Sequence, residues 1–179
     1  LIEKFEITVT NLTTTLNDLL NVISVKNDTK KEKQNLVFDT CFSNAIESFQ
    51  GDIIKSGALI TSDFSKAPSI DYSALYLESI IQNLLSNALK YSSPLRTAKI
   101  HFQSHIINNE TALIVSDNGL GIDLKEHGTE IFGFNKVFHK HPDAKGVGLF
   151  LTKAQVEGMG GTITVESTVD VGTKFKIIF

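Results

Sequence analysis

The chain has 179 residues, 41% hydrophobic and 21% charged, with a formal net charge of -3. That composition supports one good core, or a domain with an appendage, and lacks the basic excess of a nucleic-acid-binding protein. A single cysteine, Cys41, excludes an internal disulfide framework and suits a reducing compartment, and no apolar run has the length of a membrane span.

The chain opens on LIEKFEI, already periodic and without a signal-peptide pattern, and reads as a segment of something longer. Ile2, Phe5, Val9, Leu12, Leu16, Leu19 and Ile23 alternate at steps of three and four, the seam of a coiled coil or helix bundle with a partner helix. KNDTKKEKQN, from Lys26, is a charged connector, so residues 1–28 and 29–179 are expected to be separate units. Lys30, Lys31 and Lys33 read there as linker charge.

NLVF then predicts a short strand, and Thr40 to Ile54 an amphipathic helix that contains Cys41. ALITSDF is a strand candidate, and Asp71 is expected to cap the helix that follows. In that helix Leu77, Ile80, Ile81, Leu84, Leu85, Ala88 and Leu89 form an apolar face. Asn83, Asn87 and Lys90 run beside it at steps of four and three, a polar stripe on the shoulder of a core helix. TAKIHFQSHII and TALIVSD predict two strands of a hairpin turning at Asn108-Asn109. A long irregular stretch, residues 123–147, precedes a helix from Gly148 to Met159, which Gly160-Gly161 stops. TITVEST and TKFKIIF close the chain as a second hairpin. The fold class expected is a two-layer α/β sandwich, with a mixed, largely antiparallel sheet under several helices.

Two stretches place glycines where backbone approaches something closely. SDNGLGI sets Asp117 at a strand end with Gly119 and Gly121 in the turn after it, and KGVGLFLTK sets Gly146 and Gly148 at a helix start beside Lys145. Either is compatible with an ordinary turn; with the asparagine stripe they read as parts of one pocket. Amides at a helix start offer an anion site. The common nucleotide motifs do not fit. Gly128 to Gly133 has P-loop spacing but is followed by Phe134-Asn135, and Leu124 and Leu151 stand where a dinucleotide fingerprint needs its third glycine. His101 and His105 share a face if their strand is regular, and His139 and His141 are close, but no carboxylate or thiol joins either pair at metal-ligand spacing.

These residues resemble the catalytic, ATP-binding domain of sensor histidine kinases, within the group that includes gyrase, Hsp90 and MutL ATPases. NLLSNALKYS is similar to the family's N box, DNGLGI to its first glycine box, IFGFNKVF to its F box, KGVGLFL to its second glycine box and GTKFKI to its last glycine-threonine element. All five stand in the family's order, over roughly Asp71 to Phe179. The resemblance implies the Bergerat-type ATP-binding fold, with ATP and Mg2+ as ligands. It places Asn87 as the metal ligand, Asn83 orienting the hydrated metal and phosphates, and Lys90 on the phosphates, these three carrying catalysis. Tyr91 would line the cavity, Asp117 accept from the adenine amine, Gly119 and Gly121 pass close to the base, and Ile122 floor it. Gly146, Val147, Gly148, Leu149 and Thr173 belong to the remaining boxes. Residues 125–145 would form a lid anchored by Phe132, Phe134 and Phe138, with Lys136, Lys140 and Lys145 offsetting phosphate charge.

Two departures refine the expectation. Hydrolysing relatives carry Glu one turn before the metal-binding Asn, whereas Asn83 cannot take a proton near neutral pH, so transfer to a protein side chain is favoured over hydrolysis. None of the five histidines lies in the heptad segment, so the phosphoacceptor helix is expected upstream of Leu1. The resemblance thus implies the C-terminal core of a sensor histidine kinase. It would be folded in the cytoplasm whether or not the full protein is membrane-anchored. It would form a homodimer through its helix bundle and pass phosphoryl groups to a response-regulator receiver domain, with no nucleic-acid partner. An anti-sigma-type serine kinase and a nucleotide-gated interaction module that has lost its chemistry are the alternatives.

Overall fold

The computed structural model describes residues 32–128, 130–136 and 146–179. The heptad segment, and with it the boundary near residue 28, lies outside the described residues.

Two sheets form. β1 (Gln34–Val37) pairs antiparallel with β3 (Ser69–Tyr72) as a small two-stranded sheet. The main sheet has the order β2-β4-β5-β7-β6, from β2 (Leu59–Asp63), β4 (Lys99–Ile107), β5 (Glu110–Asp117), β7 (Gly172–Ile178) and β6 (Thr162–Thr168). Only β2–β4 is parallel; the other three pairings are antiparallel. The expected mixed, largely antiparallel sandwich is therefore observed.

Alternation along the strands explains the layers. Ile100, Phe102, Leu113, Val115, Phe175, Ile177 and Ile163 are buried on one face. Their neighbours His101, Gln103, Lys174, Lys176, Thr164 and Glu166 point to the other side, as period two requires. There Glu166 lies opposite Lys174 in register and pairs with it at 2.5 Å. Asn108 and Asn109, with φ of 52° and 67°, make the two-residue turn between β4 and β5 that the sequence predicts.

The helical layer is α1 (Phe38–Ser48), α2 (Gln50–Ser56), α3 (Ala74–Lys90), the short α4 (Leu124–His127) and α5 (Gly148–Glu157). α3 is its centre: Leu77, Ile80, Ile81, Leu84 and Leu85 are 0–2% exposed and belong to the same apolar cluster as the inner strand residues. Each such burial contributes about 1.5–3 kcal/mol. Among the described residues no helix is long and apolar enough to cross a membrane.

Three local expectations are corrected. Asp71 does not cap α3: it sits in β3 and accepts a hydrogen bond from Asn35 Nδ2 at 3.0 Å, while Ser73 holds the N-cap position. Strand pairing with residues 34–37 carries the chain past Asp71 before it turns into the helix. The predicted helix from Thr40 to Ile54 is two helices broken at Phe49 (φ -106°, ψ 12°), next to Ser48, whose hydroxyl donates back to the Asn44 carbonyl at 2.9 Å. Such back-bonding bends helices. α5 ends at Glu157 rather than Met159, and Gly160 (φ 94°) makes the turn into β6.

Candidate functional site

α3 carries the polar stripe along one side, and helical rise separates Asn83, Asn87 and Tyr91 by about 6 Å each. Different glycine segments meet the two ends of this run.

At the C-terminal end, Tyr91 closes the helix, its amide donating to the Asn87 carbonyl at 2.9 Å. Its own carbonyl accepts from Leu120 N at 2.9 Å, so the turn after β5 lies directly on the helix end. A Cβ on Gly119 would stand 2.5 Å from that carbonyl, which explains why glycine is needed there. Asp117 is on the inner face of the sheet, opposite Ile100 and Thr173. Its Oδ1 accepts from Gly119 N at 2.7 Å and Thr173 N at 3.3 Å. Both bonds fall on one oxygen, which leaves Oδ2 for another donor. Burial pushes this carboxyl above the ordinary aspartate range; the two amides and the Arg96 charge act in the opposite direction.

The β6–β7 hairpin grips the same turn from the far side. Ser167 Oγ accepts from Ile122 N at 2.8 Å, donates to the Gly172 carbonyl at 2.9 Å and lies 3.0 Å from Thr173 Oγ1. Asp170 N donates to the Leu120 carbonyl at 2.7 Å. Gly121 (φ 67°) faces the Thr168 carbonyl so closely that a side chain would overlap it. Ile122 is half-buried.

At the other end, Asn83 meets α5. Its Nδ2 donates to Thr152 Oγ1, and its Oδ1 is the nearest atom to where a Cβ on Gly148 would be. One turn back along α3, Ser79 Oγ accepts from Gln155 Nε2 at 3.1 Å. The Asn87 carboxamide, partly exposed between the two clusters, makes no hydrogen bond among the described residues. Lys90 is partly exposed at the helix end.

Val147 is buried at the N-cap of α5, and Leu149 packs against the core. Gly146 (φ 69°) lies against the backbone of Asn135 and Lys136, and Lys136 N donates to its carbonyl at 3.3 Å. The described residues on either side of residues 137–145 therefore lie against each other. Phe132 packs on the core under Lys153, whose Nζ is 5.5 Å from the ring centre, and Phe134 stacks edge-on against Phe150. Lys136 is engaged by Glu130 at 2.9 Å. Lys145, Phe138 and Lys140, together with His139 and His141, lie outside the described residues. Among the described residues no His, Cys, Asp or Glu cluster could hold a metal.

Sequence reasoning missed four residues that build this site: Arg96, Asn118, Ser167 and Thr152. Arg96 donates from Nε to the Asn118 carbonyl at 2.6 Å and from Nη2 to the Gly119 carbonyl at 2.7 Å. Asn118 ties the turn to β4, accepting from Lys99 N at 2.7 Å and donating to the Thr97 carbonyl at 3.0 Å. The detectable signal was a polar residue in an apolar helical run, as at Thr152, or an asparagine directly after a strand, as at Asn118.

The arrangement offers a buried acid at one end, an amide-rich helix start at the other, and between them a carboxamide unengaged among the described residues. It can read an amine-bearing ring and hold an anion about a helix turn or two away. Residues 73–179 match the family described as "Histidine kinase-, DNA gyrase B-, and HSP90-like ATPase". The chain is 34% identical over 111 residues to the alginate biosynthesis sensor protein KinB of Pseudomonas aeruginosa, covering 62% of this chain and 18% of KinB. The fold superposes on the Acinetobacter baumannii histidine kinase AdeS with a TM-score of 0.80 at 18% identity, over 99% of this chain and 82% of that one. It also matches full-length ShkA in complex with AMPPNP, with a TM-score of 0.78 at 20% identity over 94% of this chain and 35% of that one. The chain spans less than a third of the length of the first curated relatives it matches. This chain belongs to the histidine kinase-, DNA gyrase B- and HSP90-like ATPase family.

Proposed function

We propose that this chain is the catalytic end of a sensor histidine kinase. It would bind ATP with Mg2+ and transfer the γ-phosphoryl group to a histidine on a bundle helix upstream of Leu1, leaving ADP. The phosphoryl group would pass on to an aspartate of a response-regulator receiver domain. Relatives named as sensor proteins and the ATP analogue in the ShkA structure support this reading.

The observation that carries it is the spacing of two functions along α3. Asp117, pinned by Gly119 and Thr173 through one oxygen, keeps its other oxygen for an exocyclic amine. A guanine would present a carbonyl there and leave two acceptors facing, a costly mismatch at a buried acid. Toward the other end the α5 amides and Gly148 leave space against Asn83 that any side chain would fill. The donor set fits the ligand. Asn87 offers a neutral carboxamide oxygen, suited to a hard cation that keeps most of its ligands from water and phosphate. Mg2+, when bound, supplies charge that offsets the phosphate oxygens. Asn83 has no basic group with which to activate water, and catalysis by these side chains is positioning and charge stabilisation. Lys90 and Lys145 would add positive charge. Dimerisation through the heptad segment and a cytoplasmic setting belong to the same proposal.

The test is a protein extended upstream through its predicted acceptor helix and incubated with γ-labelled ATP. The expected product is phosphoprotein that is labile in acid and stable in alkali. Acid-stable label would point to serine as the acceptor, and ATP binding without any label would refute the kinase reading.

A further inference from the structure

Thr152 stands on the first turns of α5, 1% exposed, with its hydroxyl on Asn83 Nδ2. A buried hydroxyl has a desolvation cost that its partner must offset. The partner here is the asparagine at the N-terminal end of the site. An asparagine carboxamide has two nearly isosteric orientations, one presenting oxygen and one presenting NH2. In this contact the carboxamide donates through Nδ2 and the Thr152 hydroxyl oxygen accepts. With Nδ2 held this way, Oδ1 is turned toward Gly148 at the start of α5. Gly148 leaves the space and Thr152 sets the direction.

We propose that Thr152 is a positioning residue: through its hydroxyl it fixes the Asn83 carboxamide with its oxygen toward the phosphate and metal end of the site. This rests on the nucleotide reading above. Without the hydroxyl, the amide is free to turn, and half of its orientations would present NH2 where a hydrated cation needs an acceptor. Thr152 itself touches neither nucleotide nor metal, so its effect must travel through Asn83. The adenine end, built from Asp117, Gly119 and Thr173, shares no hydrogen bond with Thr152.

The 179-residue chain, with Thr152→Val and Thr152→Ser variants, is titrated calorimetrically with AMPPNP in Mg2+ and in EDTA. Valine keeps the shape and removes the hydroxyl. Affinity in Mg2+ is expected to fall about tenfold in Thr152→Val and to return to within about threefold of wild type in Thr152→Ser. Affinity in EDTA is expected not to change, and Thr152→Val should add nothing in an Asn83→Ala background. Equal losses with and without metal, or failure of serine to restore affinity, would overturn the proposal. Hydrogen exchange of the Asn83 side-chain amide, read by NMR on the ligand-free chain, supplies an independent readout. It should be slow in wild type and Thr152→Ser and fast in Thr152→Val; equal rates refute the contact. If wild type binds no nucleotide while this exchange pattern holds, the nucleotide reading fails and the Thr152 contact stands without a role in binding.

Discussion

Arg96 holds the carbonyl of Gly119 at 2.7 Å while Asp117 holds the amide of the same residue at 2.7 Å, so one glycine is fixed from both sides. The guanidinium spans two successive carbonyls, and lysine cannot reproduce that fork. Arg96→Met is expected to lower unfolding stability by about 1–2 kcal/mol, below the full value of two charge-assisted bonds because the side chain is partly solvated. It should also weaken adenine-nucleotide binding several-fold, and Arg96→Lys should recover little of either. Urea unfolding and calorimetric titration check both; a lysine variant equal to wild type would show that charge alone suffices.

Asp117 makes a pH-dependent prediction. Burial holds its folded-state pKa above the ordinary value. The folded chain therefore binds this proton more tightly than the unfolded one, so the group's contribution to stability falls as pH rises through that interval and recovers as pH falls. Asp117→Asn retains an oxygen for the Gly119 and Thr173 amides and removes the buried charge. At neutral pH its melting temperature should equal or exceed that of wild type, while adenine-nucleotide affinity falls at least about tenfold. In wild type, affinity should drop on acidification with a midpoint above that of an ordinary aspartate, and this midpoint should vanish in the variant. A midpoint that persists in Asp117→Asn would assign it to another group.

The sequence made the large features legible where the signal is periodic or stereochemical. The α3 stripe could be read because burial at three- and four-residue steps leaves few other structures for Leu77, Ile80, Ile81 and Leu84. The Asn108-Asn109 turn could be read because asparagine tolerates positive φ. Asp71 misled because an aspartate before an apolar helix is a good cap locally, whereas the decisive contact, with Asn35, is 36 residues away. Arg96 was silent for the same reason: its bonds reach carbonyls 22 and 23 residues on, and no local pattern encodes them. Thr152 was visible only as a polar residue among leucines, and its meaning required knowing which residue of α3 faces it.

Two glycines separate fold from site. At Gly121 the backbone is left-handed and a Cβ would meet the Thr168 main chain, which cannot yield. Gly121→Ala should cost about 1–3 kcal/mol or more. At Gly148 the obstacle is only the Asn83 carboxamide, which can rotate away at the loss of its hydrogen bond to Thr152, about 1 kcal/mol, partly offset by the better helix propensity of alanine. Gly148→Ala should therefore unfold within about 1 kcal/mol of wild type yet lose about tenfold or more in Mg2+-dependent nucleotide affinity. Denaturation and titration of the two variants should give opposite rankings, and a Gly148→Ala chain that binds like wild type would separate Asn83 from the phosphate end.

Gln155 carries an imbalance between α3 and α5. It is 4% exposed, and its Nε2 reaches Ser79 Oγ at 3.1 Å, but Oε1 is buried with no hydrogen-bond partner among the described residues. One ordinary hydrogen bond contributes about 1 kcal/mol, and an unmatched buried acceptor costs about 1–3 kcal/mol, so the residue is a net loss for stability. Gln155→Met has similar length, no acceptor, and leaves the backbone carbonyl that takes the Tyr72 hydroxyl at 3.1 Å. Ser79 is partly exposed and can turn to solvent. The expected outcome is a rise in stability of about 0.5–1 kcal/mol in urea unfolding, with the denaturant slope unchanged. A loss of more than about 1 kcal/mol would mean that the Ser79 bond outweighs the unmatched acceptor, and that the polar contacts between the two helices are a source of stability rather than a cost of alignment.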